Sequence, residues 1–271
     1  LDLSGLSILL DCANGATYSV APKVFSELGA KVHTISASPD GININQNCGS
    51  TNPETLKGEI VKGNYDIGIA FDGDGDRILI ISSDGTILDG DDILYILSKQ
   101  ISDDSGIVGT LMTNKSLEIY FQENKIDFFR ADVGDKYVLQ KLTEKGWYLG
   151  GEPSGHIICL DAAQTGDAII AALKVLDAIK DQGFSLGKAL EEFEKYPQTL
   201  INLKVDNPNK IILSDKFWQK VTDIELQLGL EGRVLIRPSG TEPLIRIMVE
   251  AREQKISDSL CNVLADLAQT I

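Results

Sequence analysis

The stretch Ile67-Gly68-Ile69-Ala70-Phe71-Asp72-Gly73-Asp74-Gly75-Asp76-Arg77 sets an apolar pentapeptide directly against three aspartates alternating with two glycines. A continuous apolar run of this length reads as a strand covered on both faces, the mark of a parallel or mixed sheet. In open α/β sheets ligands bind beyond the carboxyl ends of the strands, which is where the aspartates stand. Glycine lets the backbone turn tightly enough for Asp72, Asp74 and Asp76 to converge, and their mutual repulsion asks for a hard divalent ion such as Mg²⁺. The plain alternative is an acidic solvated turn. An EF-hand is excluded, because the sixth loop position is Arg77 rather than Gly and the twelfth is Ser83 rather than Glu.

Toward the N-terminus, the apolar run Leu6 to Cys12, the turn A-N-G-A, helical spacing over Tyr18 to Leu28 and a strand at Lys31 to Ile35 make one βαβ unit. Ser36 to Pro53 is rich in Asn, Ser and Gly and reads as a long irregular loop before a helix at Glu54 to Lys62. After the aspartates comes a hairpin, Ile78 to Ser82 and Thr86 to Leu88, across Ser83-Asp84-Gly85. A second alternation predicts helices over Asp91 to Ser102, Lys115 to Asn124 and Lys136 to Lys145, and strands over Ile107 to Met112 and Asp127 to Ala131. The turn-rich stretch 150–156, a short strand and a helix over Ala168 to Lys180 complete it. From about Gln198 the pattern changes: strands at Thr199 to Val205, Arg233 to Arg237 and Leu244 to Glu250, with helices at Lys210 to Leu228 and Ile256 to Ala268. The expected architecture is α/β: two consecutive α/β domains with mixed sheets, 1–89 and 90–197, and a small α+β domain with a mostly antiparallel sheet, 198–271.

Two other loops carry chemistry. Arg237-Pro238-Ser239-Gly240-Thr241-Glu242-Pro243, with Arg246 beyond it, joins strand to strand through backbone amides, two hydroxyls and two guanidinium groups, a set suited to a phosphate; the plain reading is a hairpin turn. Glu152, Ser154 and His156 sit in a glycine-flanked loop, where a carboxylate and a hydroxyl two residues apart suit adjacent sugar hydroxyls. His156 suits acid/base work or an anion; a surface turn with a capping serine is the alternative. Neither loop is an esterase elbow, since proline precedes each serine. Lys136, after Asp135 at a helix start, is a candidate phosphate or proton-transfer partner, or simply an exposed first-turn lysine.

Across 271 residues, 25 Lys+Arg against 40 Asp+Glu give a formal net charge of −15, and 43% of residues are hydrophobic. Such a chain builds real cores, has no apolar run near the ~20 residues of a spanning helix, and repels phosphate backbones and anionic lipid. Neither nucleic acid nor membrane is expected as its partner. The four cysteines form no C-x-x-C pair and there are only two histidines, so no structural zinc site and free thiols in a reducing cytoplasm are expected. The chain begins at Leu1, carries no signal-peptide pattern and reads as a piece of something longer.

In this order the loops DGDGDR (72–77), GEPSGH (151–156) and RPSGTEP (237–243) resemble those of the α-D-phosphohexomutase family. The stretches DCANGA (11–16), PDGININQNCGST (39–51), VGDKYV (133–138) and RPSGTEPLIRIMVE (237–250) are similar to its branch acting on glucosamine phosphates, rather than to the phosphomannomutase/phosphoglucomutase branch. The resemblance covers essentially the whole chain. It implies the family's domains 2 and 3 followed by a TATA-box-binding-protein-like domain 4. It also implies interconversion of glucosamine 6-phosphate and glucosamine 1-phosphate through a phosphoserine and glucosamine 1,6-bisphosphate, for peptidoglycan precursors. On it, Asp72, Asp74 and Asp76 would hold Mg²⁺ and Arg77 would bind the transferring group. Glu152 and Ser154 would grip sugar hydroxyls with His156 beside the reacting end; Arg237, Ser239, Gly240, Thr241 and Arg246 would hold the other phosphate. Two departures stand out: no T-x-S-H-N-P-type phosphoserine loop is present, and Pro153 replaces the family's usual Gln or Met. The partner implied is therefore a missing N-terminal domain of the same protein, and the 271 residues alone are expected to be inactive. Two readings of other classes are an aspartyl-nucleophile phosphatase and a non-catalytic sugar-phosphate-binding module.

Overall fold

The computed structural model describes residues 1–239 and 243–271. Its chain falls into two compact units, Leu1–Thr113 with Tyr120–Phe193, and Asn114–Ile119 with Glu194–Ile271.

The first unit holds two mixed sheets. Strands β1 (Ser7–Asp11), β2 (Lys31–Ile35), β3 (Ile67–Phe71), β4 (Ile78–Ser82) and β5 (Ile87–Leu88) run in the order β2-β1-β3-β4-β5. β1 lies parallel to β2 and β3, and the hairpin strands pair antiparallel. β3 is buried at every position, as its unbroken apolar run requires. Helices α1 (Ala21–Glu27) and α2 (Glu54–Lys62) belong to this sheet, α2 packing Leu56 and Ile60 against Leu9, Ala70 and Ile81. The helix expected from Tyr18 starts later, because Pro22 has no amide to donate and fits only a first turn. Residues 36–53 form neither helix nor strand, as expected.

The second sheet, β7-β6-β8-β9, is built from β6 (Gly106–Thr110), β7 (Asp127–Ala131), β8 (Leu149–Gly151) and β9 (Ile157–Cys159). β6 is parallel to β7 and β8, and β9 antiparallel to β8. It carries α3 (Gly90–Ser98), α4 (Lys115–Glu123, whose first residues cluster with the second unit), α5 (Asp135–Lys145), α6 (Ala168–Ile179) and the single turn α7 (Leu186–Ala189). β8 falls inside the stretch expected to be a turn. Its glycines are there for contact: a Cβ on Gly150 would stand 2.7 Å from the Val108 carbonyl oxygen of the neighbouring strand.

The second unit is an antiparallel sheet, β10-β12-β11, of β10 (Gln198–Lys204), β11 (Gly232–Pro238) and β12 (Leu244–Ala251). Period-two alternation splits β12: Ile245, Ile247 and Val249 enter the core with Phe217, Val221, Ile224, Leu260 and Leu264, while Leu244, Arg246, Met248 and Glu250 take the other face. The core helices are α9 (Asp215–Leu228) and α10 (Gln254–Gln269), preceded by the short α8 (Pro208–Ile212). The single helix expected over Lys210 to Leu228 is thus two, because the Ser214 hydroxyl accepts the Phe217 amide at 3.3 Å and starts a new helix. Glu250, fully buried, accepts from the Lys115 amide at 3.2 Å, from Gln198 Nε2 and from Arg233 Nε.

All four cysteines are free and buried. Burial pushes the Cys12 and Cys159 thiols up to about 12 and Cys261 to about 11, so almost no thiolate exists at neutral pH. The native chain is expected to leave Ellman's reagent unreacted at mildly alkaline pH and to react at all four positions in guanidinium. A fast-reacting thiol in the native protein would contradict the burial described.

Candidate active site

Beyond Phe71 the chain curls back on its first aspartate. Asp72, almost wholly buried, accepts on Oδ1 from the amides of Gly75 at 3.1 Å, Asp76 at 3.1 Å and Arg77 at 3.0 Å. Gly75 holds φ at +78° where a Cβ would also meet Thr17 Cγ2 at 2.7 Å, so glycine is required twice over. The result is that one oxygen each from Asp72, Asp74 and Asp76 lies within 4.8 Å of the others. Arg77 Nε stands 4.0 Å from Asp72 Oδ2 and 3.9 Å from Asp76 Oδ1. Asp76 Oδ1 is buried without a hydrogen-bond partner among the described residues. Three converging carboxylates, with one buried Asp76 oxygen lacking a hydrogen bond among the described residues, fit Mg²⁺, which takes oxygen donors at close range.

The glycine-flanked loop 151–156 reaches this aspartate loop through backbone. Arg77 and His156 form an antiparallel bridge, and the Ile78 amide donates to the Gly155 carbonyl at 3.1 Å. Further along, the Ala168 amide donates to the Gly75 carbonyl at 3.0 Å. Gly155, at φ +90°, is pressed so close that a Cβ would fall 2.0 Å from the Ile78 carbonyl oxygen. The approach seats His156, 4% exposed, with Nδ1 3.1 Å from Asp76 Oδ2. Gly166 closes the far side of the ring, where a Cβ would come 2.3 Å from Nε2. His156 therefore orients a candidate metal ligand, a role its position in the sequence did not reveal.

Asp76, Arg77, Glu152, Ser154 and His156 line one cleft of about 510 Å³, with Met112, Val133, Gly134, Asp135 and Pro153. Glu152 Oε1 accepts the Gly134 amide at 2.9 Å, which fixes the carboxylate and leaves Oε2 for a ligand. Ser154 is exposed at the rim. Lys136 is not among the lining residues: it stands exposed in the first turn of α5 with Nζ 4.6 Å from the centre of the Tyr137 ring, while its neighbour Asp135 faces the cleft. Met112 and Gly134 were missed as site residues, Met112 because a lone methionine after a strand carries no signal and Gly134 because its contribution is a backbone amide.

In the second unit Arg237 on β11 lies directly opposite Arg246 on β12. Like charges in cross-strand register repel, and Arg246 Nε is buried without a hydrogen-bond partner among the described residues. Both facts favour an anion over this part of the sheet. The Ser239 amide donates to the Leu244 carbonyl at 2.9 Å and so closes the hairpin. Gly240 and Thr241, the remaining candidates of the loop, lie outside the described residues.

Residues 2–85, 89–196 and 200–267 match, in turn, α/β/α domain II, α/β/α domain III and the C-terminal domain of phosphoglucomutase/phosphomannomutase. The chain belongs to this family. A phosphoglucosamine mutase of Pseudomonas entomophila (strain L48) is 48% identical over 276 residues, which cover 100% of the chain and 62% of that protein. The chain thus spans about three-fifths of the length of this curated relative. Among solved structures, a phosphoglucomutase/phosphomannomutase family protein from Burkholderia thailandensis superposes with a TM-score of 0.82 at 24% identity, over 97% of this chain and 61% of that one. The Aspergillus fumigatus N-acetylphosphoglucosamine mutase, solved in complex with GlcNAc-6P and magnesium, gives 0.80 at 19% identity, over 98% and 62%. Both likenesses show the phosphohexomutase fold.

The glycine contact that joins the two loops is directly testable. Gly155→Ala is expected to lower the unfolding free energy by about 3 kcal/mol, combining a left-handed backbone with a blocked approach. Urea denaturation measures it; a loss below about 1 kcal/mol would show that the loops do not depend on this contact.

Proposed function

We propose that the chain is the metal-, sugar- and phosphate-binding part of a phosphoglucosamine mutase, acting on glucosamine 6-phosphate and glucosamine 1-phosphate in the cytoplasm. The observation that carries the reading is the bridge between Arg77 and His156, which brings the aspartate loop and the Glu152/Ser154 loop into one cleft. The 48% identity to a curated phosphoglucosamine mutase supports the amino-sugar substrate over the glucose and mannose phosphates. In this reading the chain comprises three domains, 1–89, 90–197 and 198–271, and works with a preceding domain that holds the phosphoserine.

The reaction moves one phosphoryl group at a time. The serine O–P bond breaks as a bond forms to a sugar hydroxyl, whose proton leaves to a base, and the product is glucosamine 1,6-bisphosphate with free serine. After the sugar turns around, its other phosphoryl group returns to the serine. Asp72, Asp74 and Asp76 would hold Mg²⁺, which supplies neutralisation of the charge on the transferring group. Arg77 adds a guanidinium at the same place. Glu152 and Ser154 hold sugar hydroxyls in both orientations, because both orientations must present the ring to one fixed site. Arg237, Ser239, Gly240, Thr241 and Arg246 hold the phosphate that is not reacting and so fix orientation without joining the bond changes. Lys136, next in sequence to the cleft-lining Asp135, is assigned to proton or phosphate traffic at the rim.

Titration with Mn²⁺ tests the metal site. The chain is expected to bind and Asp74→Ala to bind at least tenfold more weakly; equal binding would reject the assignment. The activity is read from the full protein to which these residues belong. It is expected to convert glucosamine phosphates with a higher kcat/KM than glucose or mannose phosphates, whereas the 271 residues alone turn over none of them. Turnover by the chain alone would place the phosphoryl donor within it and overturn the proposal.

A further inference from the structure

The stretches 11–16 and 36–51 carry none of the candidate side chains, yet most of the left-handed non-glycine backbone among the described residues lies in them. Five of the seven described non-glycine residues with positive φ lie in them: Ala13, Asn14, Ser36, Asn45 and Asn47. Left-handed backbone at such residues persists only where surrounding contacts enforce it. The enforcing group is Asp11, the last residue of β1, which is fully buried. Its Oδ1 accepts the Ala13 amide at 3.0 Å and its Oδ2 the Gly49 amide at 2.8 Å, so one carboxylate ties both loops together. Asn14 repeats the tie from the other side: its Oδ1 accepts the Ser38 amide at 3.1 Å and its Nδ2 donates to the Asn43 carbonyl at 3.5 Å.

These tied loops grip the aspartate loop by hydrogen bonds and by close packing. The Ser50 amide, next to Gly49, donates at 2.8 Å to the carbonyl of Phe71, the residue before Asp72. The Ala16 amide donates at 2.8 Å to the carbonyl of Gly73, between Asp72 and Asp74. Ile44 and Asn45 pack on the Cα of Gly73, where a Cβ would meet each at 2.7 Å, and Thr17 packs on Gly75. Gly15 lies so close beneath that its own Cβ would fall 2.2 Å from the Gly73 carbonyl oxygen. The span between Asp72 and Asp74 is thus braced by residues of the two loops that Asp11 ties together, and Thr17, just beyond the first loop, packs on the span between Asp74 and Asp76.

We infer that Asp11 is a positioning residue for the divalent-cation site: buried, never in contact with the ion, it fixes the spacing of Asp72, Asp74 and Asp76 by tying the two loops beneath them. The inference rests on the metal reading given above. Outer residues that orient ligands commonly affect metal affinity by 10–100-fold. Asp11→Asn keeps the size of the side chain but turns an amide NH₂ toward an amide donor. Asn14→Gly keeps the left-handed backbone and removes only the side-chain ties.

Mn²⁺ titration followed by electron paramagnetic resonance, at a temperature where circular dichroism shows each variant folded, is the test. Asp11→Asn is expected to weaken Mn²⁺ binding by about tenfold or more and Asn14→Gly by about threefold. Ile81→Val, a core truncation in the same sheet, is expected to lower the melting temperature and leave Mn²⁺ affinity unchanged. Should Asp11→Asn not fold, Asn14→Gly decides alone. Wild-type affinity in the folded variants, with Asp74→Ala defective, would overturn the inference and leave the metal site standing. Absence of Mn²⁺ binding by the parent chain would instead overturn the metal reading itself.

Discussion

Like-charge repulsion at the end of β3 is the constraint around which the first unit is arranged. Two carboxylate charges within 4.8 Å of one another repel by roughly 3 kcal/mol or more at an effective dielectric of 20, and here there are three. The protein meets part of this with its own groups. Three amides converge on Asp72, the Arg77 guanidinium stands near both Asp72 and Asp76, and His156 takes the second oxygen of Asp76. The remainder, including the buried Oδ1 of Asp76, which has no hydrogen bond among the described residues, is left for a cation. A loop built only to be a solvated turn would relieve the repulsion by splaying its carboxylates into water. This one prevents splaying, because the glycines at 73 and 75 are overlain by Ile44, Asn45 and Thr17.

The same economy of contact explains the glycines elsewhere in the site. Gly155 touches the carbonyl of Ile78, and Gly90 has its missing Cβ position 1.9 Å from the Glu152 carbonyl oxygen. Each removes a side chain where one backbone must lie directly on another. The joint that results consists of hydrogen bonds between main chains, Ile78 to Gly155 and Gly90 to Pro153, and depends little on rotamers. Rigid placement of this sort is what a site for phosphoryl transfer requires, since most of its acceleration comes from position and charge rather than from covalent work by side chains.

Much of this was legible in the sequence because it is local. The apolar pentapeptide before Asp72, the period-two alternation of β12 and the change of pattern near Gln198 each lie within one short window. Elements were misjudged where a single side chain or a distant partner decides. Ser214 splits one amphipathic stretch into two helices by capping, and β8 looks like a turn because its glycines are chosen by the neighbouring strand β6, some forty residues earlier in sequence. The candidate residues on the aspartate and sugar loops were found because their chemistry is written in their residue types. His156 was found for its titratable ring, yet its partner, Asp76, is eighty residues away in sequence and visible only once β4 and β9 bring the loops together.

Asp11 shows the limit more sharply. At the end of an apolar run it reads as an ordinary polar residue leaving a strand, and the loop 36–53 reads as irregular, which in secondary structure it is. What the pattern omits is that irregular backbone still needs partners for its amides, and that a buried carboxylate is one of the few groups able to accept several at once. Desolvation pushes the Asp11 carboxyl above the ordinary range, and the hydrogen bonds from Gly49, Ala13 and Ser36 act against that shift. A neutral acceptor at this place would avoid the desolvation of a charge but would hold the amides more weakly. The carboxyl group stands where backbone must stay in left-handed shapes that few residue types other than glycine and asparagine adopt. It therefore stands one layer beneath the cation site, where the strain of the loops is converted into the fixed spacing of the three aspartates.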